Sequence, residues 1–135
     1  MNLKLGTEEV RNISFFVKAT GIQPKDCLIA EDCIYFVVDS RKVFAVIGRG
    51  GENIRKLSML FRKRVRIFGY YPNPEETIRA MIPQAKGIRM ENGSVLVSIP
   101  AAEKSKIIGR HGTNIKAIKE MLKRHFGLMD LRLRY

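Results

Sequence analysis

The amino-acid sequence predicts an α+β fold made of two similar units in tandem, each with the element order α-β-β-α-α-β. Two observations lead to this prediction. A glycine-rich stretch at residues 47–54 recurs at residues 108–115, an offset of 61 positions, and only two of its eight positions differ. The helix and strand patterns around the two copies also follow in the same order, which is typical of an internal repeat. A chain of 135 residues is long enough for two very small domains.

The first unit begins with a predicted amphipathic helix. We expect Thr7 to be its N-cap, Glu8 and Glu9 to lie in its first turn, and Gly21 and Pro24 to end it. After this helix the sequence predicts strands at 27–30 and 33–38 joined by a tight turn, a short helix at about 42–47, the first glycine loop, a helix at about 52–61 and a strand at 65–68.

The second unit follows a short, stiff linker near residues 71–74. Asn73 is the predicted N-cap of its first helix, and Pro74 is suited to the first helical position. The dipeptide Asn92-Gly93 is a strong signal for a two-residue hairpin turn. The predicted elements are a helix that ends before Pro83, strands at 88–91 and 95–99, a helix at 101–108, the second glycine loop, a helix at about 113–125 capped by Gly127, and a strand within 128–135.

The net charge of +12 predicts a polyanionic partner, and nucleic acid is the commonest one. Residues 1–72 hold 13 basic and 7 acidic side chains, and residues 73–135 hold 12 and 6, so each half carries +6. The surplus therefore belongs to the repeat and not to an appended tail. The longest apolar run, residues 33–38, is far too short to span a membrane, and residues 1–8 lack the apolar segment of a signal peptide. We expect a soluble, cytoplasmic protein with no membrane partner.

Sequence signals for catalysis are absent. The chain lacks a nucleotide-binding glycine motif in the required strand-to-helix setting, a serine elbow and a metal-spaced pair of histidines. Cys27 and Cys33 are too few for a disulfide framework, and we expect both to be small buried residues of a hairpin. The predictions are no enzymatic activity, no cofactor, no metal and no small-molecule substrate.

The two glycine loops are the best candidates for a binding site. Glycine allows positive φ angles and a close approach of another backbone. Each loop leads into a helix N-terminus, where free N–H groups favour an anion, and each has an arginine suited to phosphate. A tight connection between helices with exposed charge is the alternative. The loops are Gly48, Arg49, Gly50 and Gly51 in the first unit and Gly109, Arg110, His111 and Gly112 in the second.

A repeated α-β-β-α-α-β unit with I-G-x-x-G-x-x-I between its helices resembles the KH domain, and its strand order is similar to the type II form. The resemblance implies two tandem type II KH domains, residues 1–72 and 73–135, each with a three-stranded sheet packed by helices on one face. In detail the chain resembles the small archaeal NusA-like transcription proteins. A KH loop clamps the backbone of about four single-stranded nucleotides.

The resemblance extends the candidate RNA-binding residues beyond the loops. Asn53 and Asn114 would lie in the first turn of the following helix, where they could bind RNA or act as local caps, and Arg55 and Lys116 would be nearby cations. The isoleucines of the motif fit the family's apolar positions, and we expect them to be core residues first: Ile47, Ile54, Ile108 and Ile115.

The function implied by the resemblance is non-catalytic binding of single-stranded RNA, acting on nascent transcripts in transcription termination or antitermination. RNA polymerase or a transcription complex is a further expected partner, although the polymerase-binding and S1 domains of bacterial NusA are missing from this sequence. Two alternatives stay open. One is a KH adaptor in rRNA processing or ribosome assembly, and the other is a protein–protein scaffold, which the loop arginines Arg49 and Arg110 disfavour.

Overall fold

The structure, a computed structural model, describes residues 6–135. Its contacts divide the chain between Tyr71 and Pro72 into two compact units. The described part of the first unit and the whole of the second unit each contain one three-stranded sheet and three α-helices. The predicted α+β class is therefore confirmed. The assignment of a KH domain to each of residues 1–72 and 73–135 stays a prediction.

The first unit has its helices and strands where the sequence predicts them. The predicted and observed bounds differ by at most two residues, which is the usual uncertainty of helix and strand ends. In chain order the elements are α1 (Thr7–Thr20), β1 (Asp26–Ile29), β2 (Cys33–Asp39), α2 (Val43–Ile47), α3 (Glu52–Phe61) and β3 (Arg64–Tyr70).

The start of α1 corrects one prediction. The N-cap is Gly6 and not Thr7, because the amide of Val10 donates to the carbonyl of Gly6 at 3.1 Å and the helical hydrogen bonding begins there. Thr7 is the first helical residue. The predicted end is confirmed, since Gly21 adopts a left-handed conformation with φ of 73° and its amide caps the carbonyl of Val17.

The sheet of the first unit has β2 in its centre. Strand β1 pairs with β2 in antiparallel orientation and β3 pairs with it in parallel. The face of β2 turned towards the helices forms the core, where Phe36 stacks on Phe16 of α1 at 4.2 Å between ring centroids. The other face is buried as well, since Tyr35 and Val37 are almost inaccessible. Cys27 and Cys33 are both buried and form no disulfide, as two small residues of a buried hairpin would be.

The second unit repeats this arrangement. Strand β5 is central, antiparallel to β4 and parallel to β6. Asn73 caps α4 as predicted, and its side chain accepts a hydrogen bond from the amide of Glu75 at 2.8 Å. Asn92 and Gly93 both have positive φ, as the hairpin turn requires. The elements are α4 (Pro74–Met81), β4 (Gly87–Glu91), β5 (Ser94–Ser98), α5 (Lys104–Ile108), α6 (Thr113–Phe126) and β6 (Asp130–Arg134).

One face of the second sheet is open to solvent. Val95 and Val97 of β5 point into the core, whereas Leu96 between them is half-buried and pairs with Arg89 on one side and Arg132 on the other. Both arginines are exposed, since successive side chains along a strand point to opposite faces of the sheet.

Candidate nucleic-acid interface

The two glycine loops have nearly the same backbone. Each begins at the C-terminal end of a five-residue helix, α2 or α5, with a glycine whose φ and ψ are 78° and 170° at Gly48 and 78° and 172° at Gly109. A single 3-10 turn, residues 49–51 or 110–112, then leads into α3 or α6. The repeat seen in the sequence is therefore a repeat of backbone geometry.

The first glycine of each loop has no room for a side chain. A Cβ atom at Gly48 would lie 2.8 Å from Cγ of Asn53, and one at Gly109 would lie 2.7 Å from Cβ of Asn114. The φ and ψ angles there also belong to a region that only glycine occupies readily. The requirement for glycine at both positions is thus steric as well as conformational.

The third loop position differs between the units. Gly50 has φ of 61° and nothing within 4 Å of a Cβ placed on it, so the site has room for a side chain. His111 occupies the same place in the second loop with φ of 56°, a left-handed conformation that is uncommon for residues other than glycine. The fourth residues, Gly51 and Gly112, have positive φ as well.

Asn53 and Asn114 each form a hydrogen bond with the helix that precedes their loop. The side-chain amide of Asn53 donates to the carbonyl of Ala45 at 3.2 Å, and that of Asn114 donates to the carbonyl of Ile107 at 2.8 Å. These carbonyls lie at the C-terminal ends of α2 and α5, where no intrahelical donor is available. Asn114 is buried, whereas Asn53 is half-buried. Their bonding partners are in the preceding helix, a role that the sequence did not predict.

Cations surround both loops. Arg49 and Arg110 are exposed at the loop tips, and Arg55 and Lys116 are exposed one turn into the following helices. The guanidinium of Arg55 donates to the carbonyl of Gly50 at 2.6 Å, which holds this charge against the first loop. The structure therefore places the predicted cations of each unit around its own loop.

Neither helix N-terminus is capped by a side chain. Gly51 and Gly112 are the N-caps of α3 and α6, and neither has a side chain that could accept from the first-turn amides. In the first unit Glu52 forms an exposed ion pair with Lys56 at 3.3 Å. In the second unit Thr113 stands in its place and donates to the carbonyl of Arg110 at 2.5 Å. The amides at the start of each helix are thus free of a side-chain cap.

The apolar residues beside the loops are less buried than expected. All four motif isoleucines are half-buried and none belongs to the fully buried core: Ile47, Ile54, Ile108 and Ile115. Phe44 of α2, which the sequence analysis did not single out, is 89% exposed. The signal was present, because Val43, Val46 and Ile47 share one helical face and Phe44 lies off it.

The 3-10 turn before α2, which leads to the first loop, is capped by Asp39. The carboxylate of Asp39 accepts hydrogen bonds from the amide of Arg41 at 2.9 Å and from its guanidinium at 3.0 and 2.8 Å. These bonds from Arg41 hold the pKa of Asp39 well below its usual range. Asp39 thereby fixes the 3-10 turn, residues 40–42, that precedes α2. Pro100 takes this place in the second unit and has no side-chain cap.

The first unit is similar to a known protein family. Residues 10–72 match the KH domain family. The matched range contains the whole first loop together with α2, α3 and all three strands of the first unit. A KH domain is a module that holds single-stranded nucleic acid. Residues 10–72 are therefore similar to a non-catalytic nucleic-acid-binding module.

Curated relatives are similar over most of the chain. The "Probable transcription termination protein NusA" of Methanocaldococcus jannaschii is 27% identical over 137 residues, covering 97% of this chain and 75% of the relative. The protein of the same name from Halobacterium salinarum is 28% identical over 138 residues, covering 98% of this chain and 99% of the relative. The chain is therefore similar to archaeal NusA-like proteins.

A solved structure is similar as well. The crystal structure of APE1850 has a TM-score of 0.77 and 28% sequence identity, covering 96% of this chain and 100% of that one. Among the residues described here, no helix is both long and apolar enough to cross a membrane.

Proposed function

We propose that the protein binds single-stranded RNA through both glycine loops, each of which clamps the sugar–phosphate backbone. The observation that carries this proposal is the repeated loop: two copies share one backbone geometry, an exposed arginine at the tip and an uncapped helix N-terminus. The KH match of residues 10–72 supports RNA as the ligand of the first loop. The second loop is included because its backbone is nearly the same.

The chemistry of each loop suits a phosphate group. Amides in the first turn of a helix lack intrahelical acceptors and lie at the positive end of the helix dipole, so they favour an anion. Arg49 or Arg110 adds a planar donor with geometry matched to phosphate oxygens. The four residues of each loop include no carboxylate that would repel the ligand.

The proposal covers the architecture and the biological setting. Residues 1–72 and 73–135 form two tandem type II KH domains, and one RNA strand that engages both gains affinity through effective concentration. The names of the archaeal relatives support transcription termination as the setting. The proposal includes nascent transcripts as the target, antitermination as the other possible action, and the cytoplasm as the location. RNA polymerase or a complex containing it is the corresponding protein partner.

Charge reversal in the loops tests the RNA clamp. The variant carries Arg49→Asp and Gly50→Asp in one loop and Arg110→Asp and His111→Asp in the other. Aspartate tolerates the left-handed conformation of the third position, so the loop backbone is retained. We expect each altered loop to weaken binding of a single-stranded oligonucleotide about tenfold or more, because hydrogen bonds to charged groups contribute about 1.5–3 kcal/mol.

The matched control replaces the same four residues with asparagine, which has the shape of aspartate without its charge. It should bind RNA more tightly than the aspartate variant at low salt, and the difference should shrink as salt rises. Duplex RNA and single-stranded DNA serve as comparison ligands. If the aspartate variant binds single-stranded RNA as tightly as the parent, the clamp proposal is wrong.

Co-purification tests the transcription setting separately. Affinity purification of the tagged protein from its native cells should recover RNA polymerase subunits. Recovery that survives ribonuclease treatment indicates direct contact with the polymerase, and recovery that is lost on treatment indicates attachment through nascent RNA. Recovery of pre-ribosomal particles without polymerase would instead assign the protein to ribosome assembly.

A further inference from the structure

Phe44 is exposed to an extent that the core cannot explain. Its side chain is 89% accessible, the highest value among the large hydrophobic residues that the structure describes as exposed. Burying a phenylalanine side chain stabilises a protein by about 1.5–3 kcal/mol, so a fully exposed one contributes little to folding. The neighbouring apolar residues Val43 and Val46 already supply the side of α2 that packs against the sheet.

The position of Phe44 ties it to the first glycine loop. Its backbone carbonyl accepts a hydrogen bond from the amide of Gly48 at 2.9 Å, which places Phe44 one helical turn before the first loop residue. Two exposed cations flank it along the chain, Lys42 on one side and Arg49 on the other. Phe44 therefore lies one helical turn away in the chain from the loop that holds phosphates in the proposed clamp.

The second unit keeps the backbone and lacks the ring. Ser105 takes the corresponding position, and its carbonyl accepts from the amide of Gly109 at 2.9 Å. Ser105 is exposed as well. The helical turn before the loop is therefore common to both units, and the aromatic side chain is an addition to the first one only.

We propose that Phe44 stacks on a base of the RNA strand whose backbone the loop at residues 48–51 holds. A base offers a flat apolar face of any sequence, and stacking on an aromatic side chain contributes about 1–3 kcal/mol per base. The flanking cations favour a polyanion over an apolar protein surface as the occupant. The inference rests on the proposed function, and it makes the first unit the stronger and the base-contacting member of the pair.

A tryptophan reporter tests the stacking directly. The chain contains no tryptophan, so Phe44→Trp introduces a single fluorophore at the site. Titration with a single-stranded oligouridine of about 10 nucleotides should quench its emission, and the quenching should saturate with the binding curve. Val10→Trp, at a position that is 54% exposed on α1, is the matched control and should not be quenched.

Affinity measurements on Phe44 variants distinguish aromatic stacking from a general contribution of an apolar side chain. Phe44→Ala should weaken binding of the same RNA about fivefold to a hundredfold, which is the range that base stacking gives. Phe44→Leu keeps an apolar side chain and should show most of that loss, whereas Phe44→Tyr should keep most of the affinity. Ser105→Ala in the second unit should leave the affinity unchanged. Circular dichroism checks that each variant is folded.

The outcomes distinguish this inference from the proposed function. If charge reversal in the loops abolishes RNA binding while Phe44→Ala binds as tightly as the parent, the clamp stands and the stacking inference is wrong. If neither change affects binding, both are wrong. An unquenched Phe44→Trp reporter at saturating RNA also overturns the inference.

Discussion

The two glycine loops share a backbone but differ in the side chains beside it. Both begin with a glycine at φ of 78°, and both have an arginine next to it. The third residue is Gly50 in one loop and His111 in the other, and the preceding turn presents Phe44 or Ser105. The two loops therefore share the glycines that determine the backbone conformation and the arginine that carries the positive charge. The same loop backbone is therefore compatible with different side chains around it.

The two sheets differ more than the loops do. Tyr35 of β2 is only 2% exposed and stacks on Phe68 at 5.4 Å between ring centroids. Leu96 occupies the corresponding place in β5 and lies half-buried between Arg89 and Arg132 on an open face. The sheets therefore have the same strand order but different degrees of burial.

The largest expected loss of stability comes from replacing the first glycine of either loop, a residue that both loops share. Gly48→Ala and Gly109→Ala should each destabilise the protein by about 3 kcal/mol, since alanine would occupy a glycine-only backbone region and collide with the asparagine. Gly50→Ala is the matched control, because its surroundings are open, and it should cost about 1 kcal/mol. Urea unfolding measures all three. Equal cost for Gly48→Ala and Gly50→Ala would contradict the steric account.

Alanine variants of the two loop asparagines should destabilise the two units by different amounts. Asn114→Ala should cost about 2 kcal/mol, because it leaves the carbonyl of Ile107 without its donor in a buried site. Asn53→Ala should cost about 1 kcal/mol, since its hydrogen bond is longer and water reaches the site. Thermal unfolding of both variants checks the order, and a larger loss at Asn53 would reverse the comparison.

Alkaline pH should affect the first sheet through Tyr35. Burial, with a further contribution from the neighbouring Cys33, raises the pKa of Tyr35 to about 12, against about 10 in the unfolded chain. A raised pKa means that the folded state holds the proton more tightly. The stabilisation is fully present below the unfolded pKa and is lost as pH rises towards the folded pKa.

The control for this effect is Tyr35→Phe, which has no ionisable group. Between about pH 9 and pH 11 the parent should lose about 1 kcal/mol of stability relative to this variant. Urea midpoints at both pH values measure the difference. A constant difference across the range would show that Tyr35 does not titrate as its burial requires.

The smallest effect concerns the loop position at which the units differ. His111→Gly should stabilise the second unit by about 0.5–1 kcal/mol, because glycine adopts the left-handed conformation without strain. Gly50→His should destabilise the first unit by a similar amount. The two variants form a reciprocal exchange, and differential scanning calorimetry of both checks whether the loops are interchangeable in stability.

The sequence predicted the features that depend on neighbouring residues. The left-handed end of α1 at Gly21, the cap of α4 at Asn73 and the hairpin turn at residues 92–93 follow from local conformational preferences, and the structure confirms them. The bond from Asn114 to Ile107 was missed because it joins two helices across the loop. Helical periodicity places Phe44 off the buried face of α2, but it does not predict how far an off-face side chain is exposed.

The predicted position of the N-cap of α1 was wrong for a related reason. Thr7 is a better cap by preference than Gly6, but the backbone hydrogen bond of Val10 to Gly6 sets the start of the helix. The capping preference of a single residue predicts the start of a helix only where the backbone hydrogen bonding begins at that residue. The RNA-binding role of the loop residues remains a prediction, which requires an experiment with the ligand.

Chemical-shift mapping by NMR tests the central claim most directly. The isotope-labelled protein is titrated with a short single-stranded RNA, and the backbone amides that shift are located in the structure. The clamp proposal predicts that the largest shifts fall in residues 48–53 and 109–114, with a second group in α2 around Phe44. If both loops keep their free-state shifts at saturating RNA while amides elsewhere move, the loops do not hold the RNA and the account is contradicted.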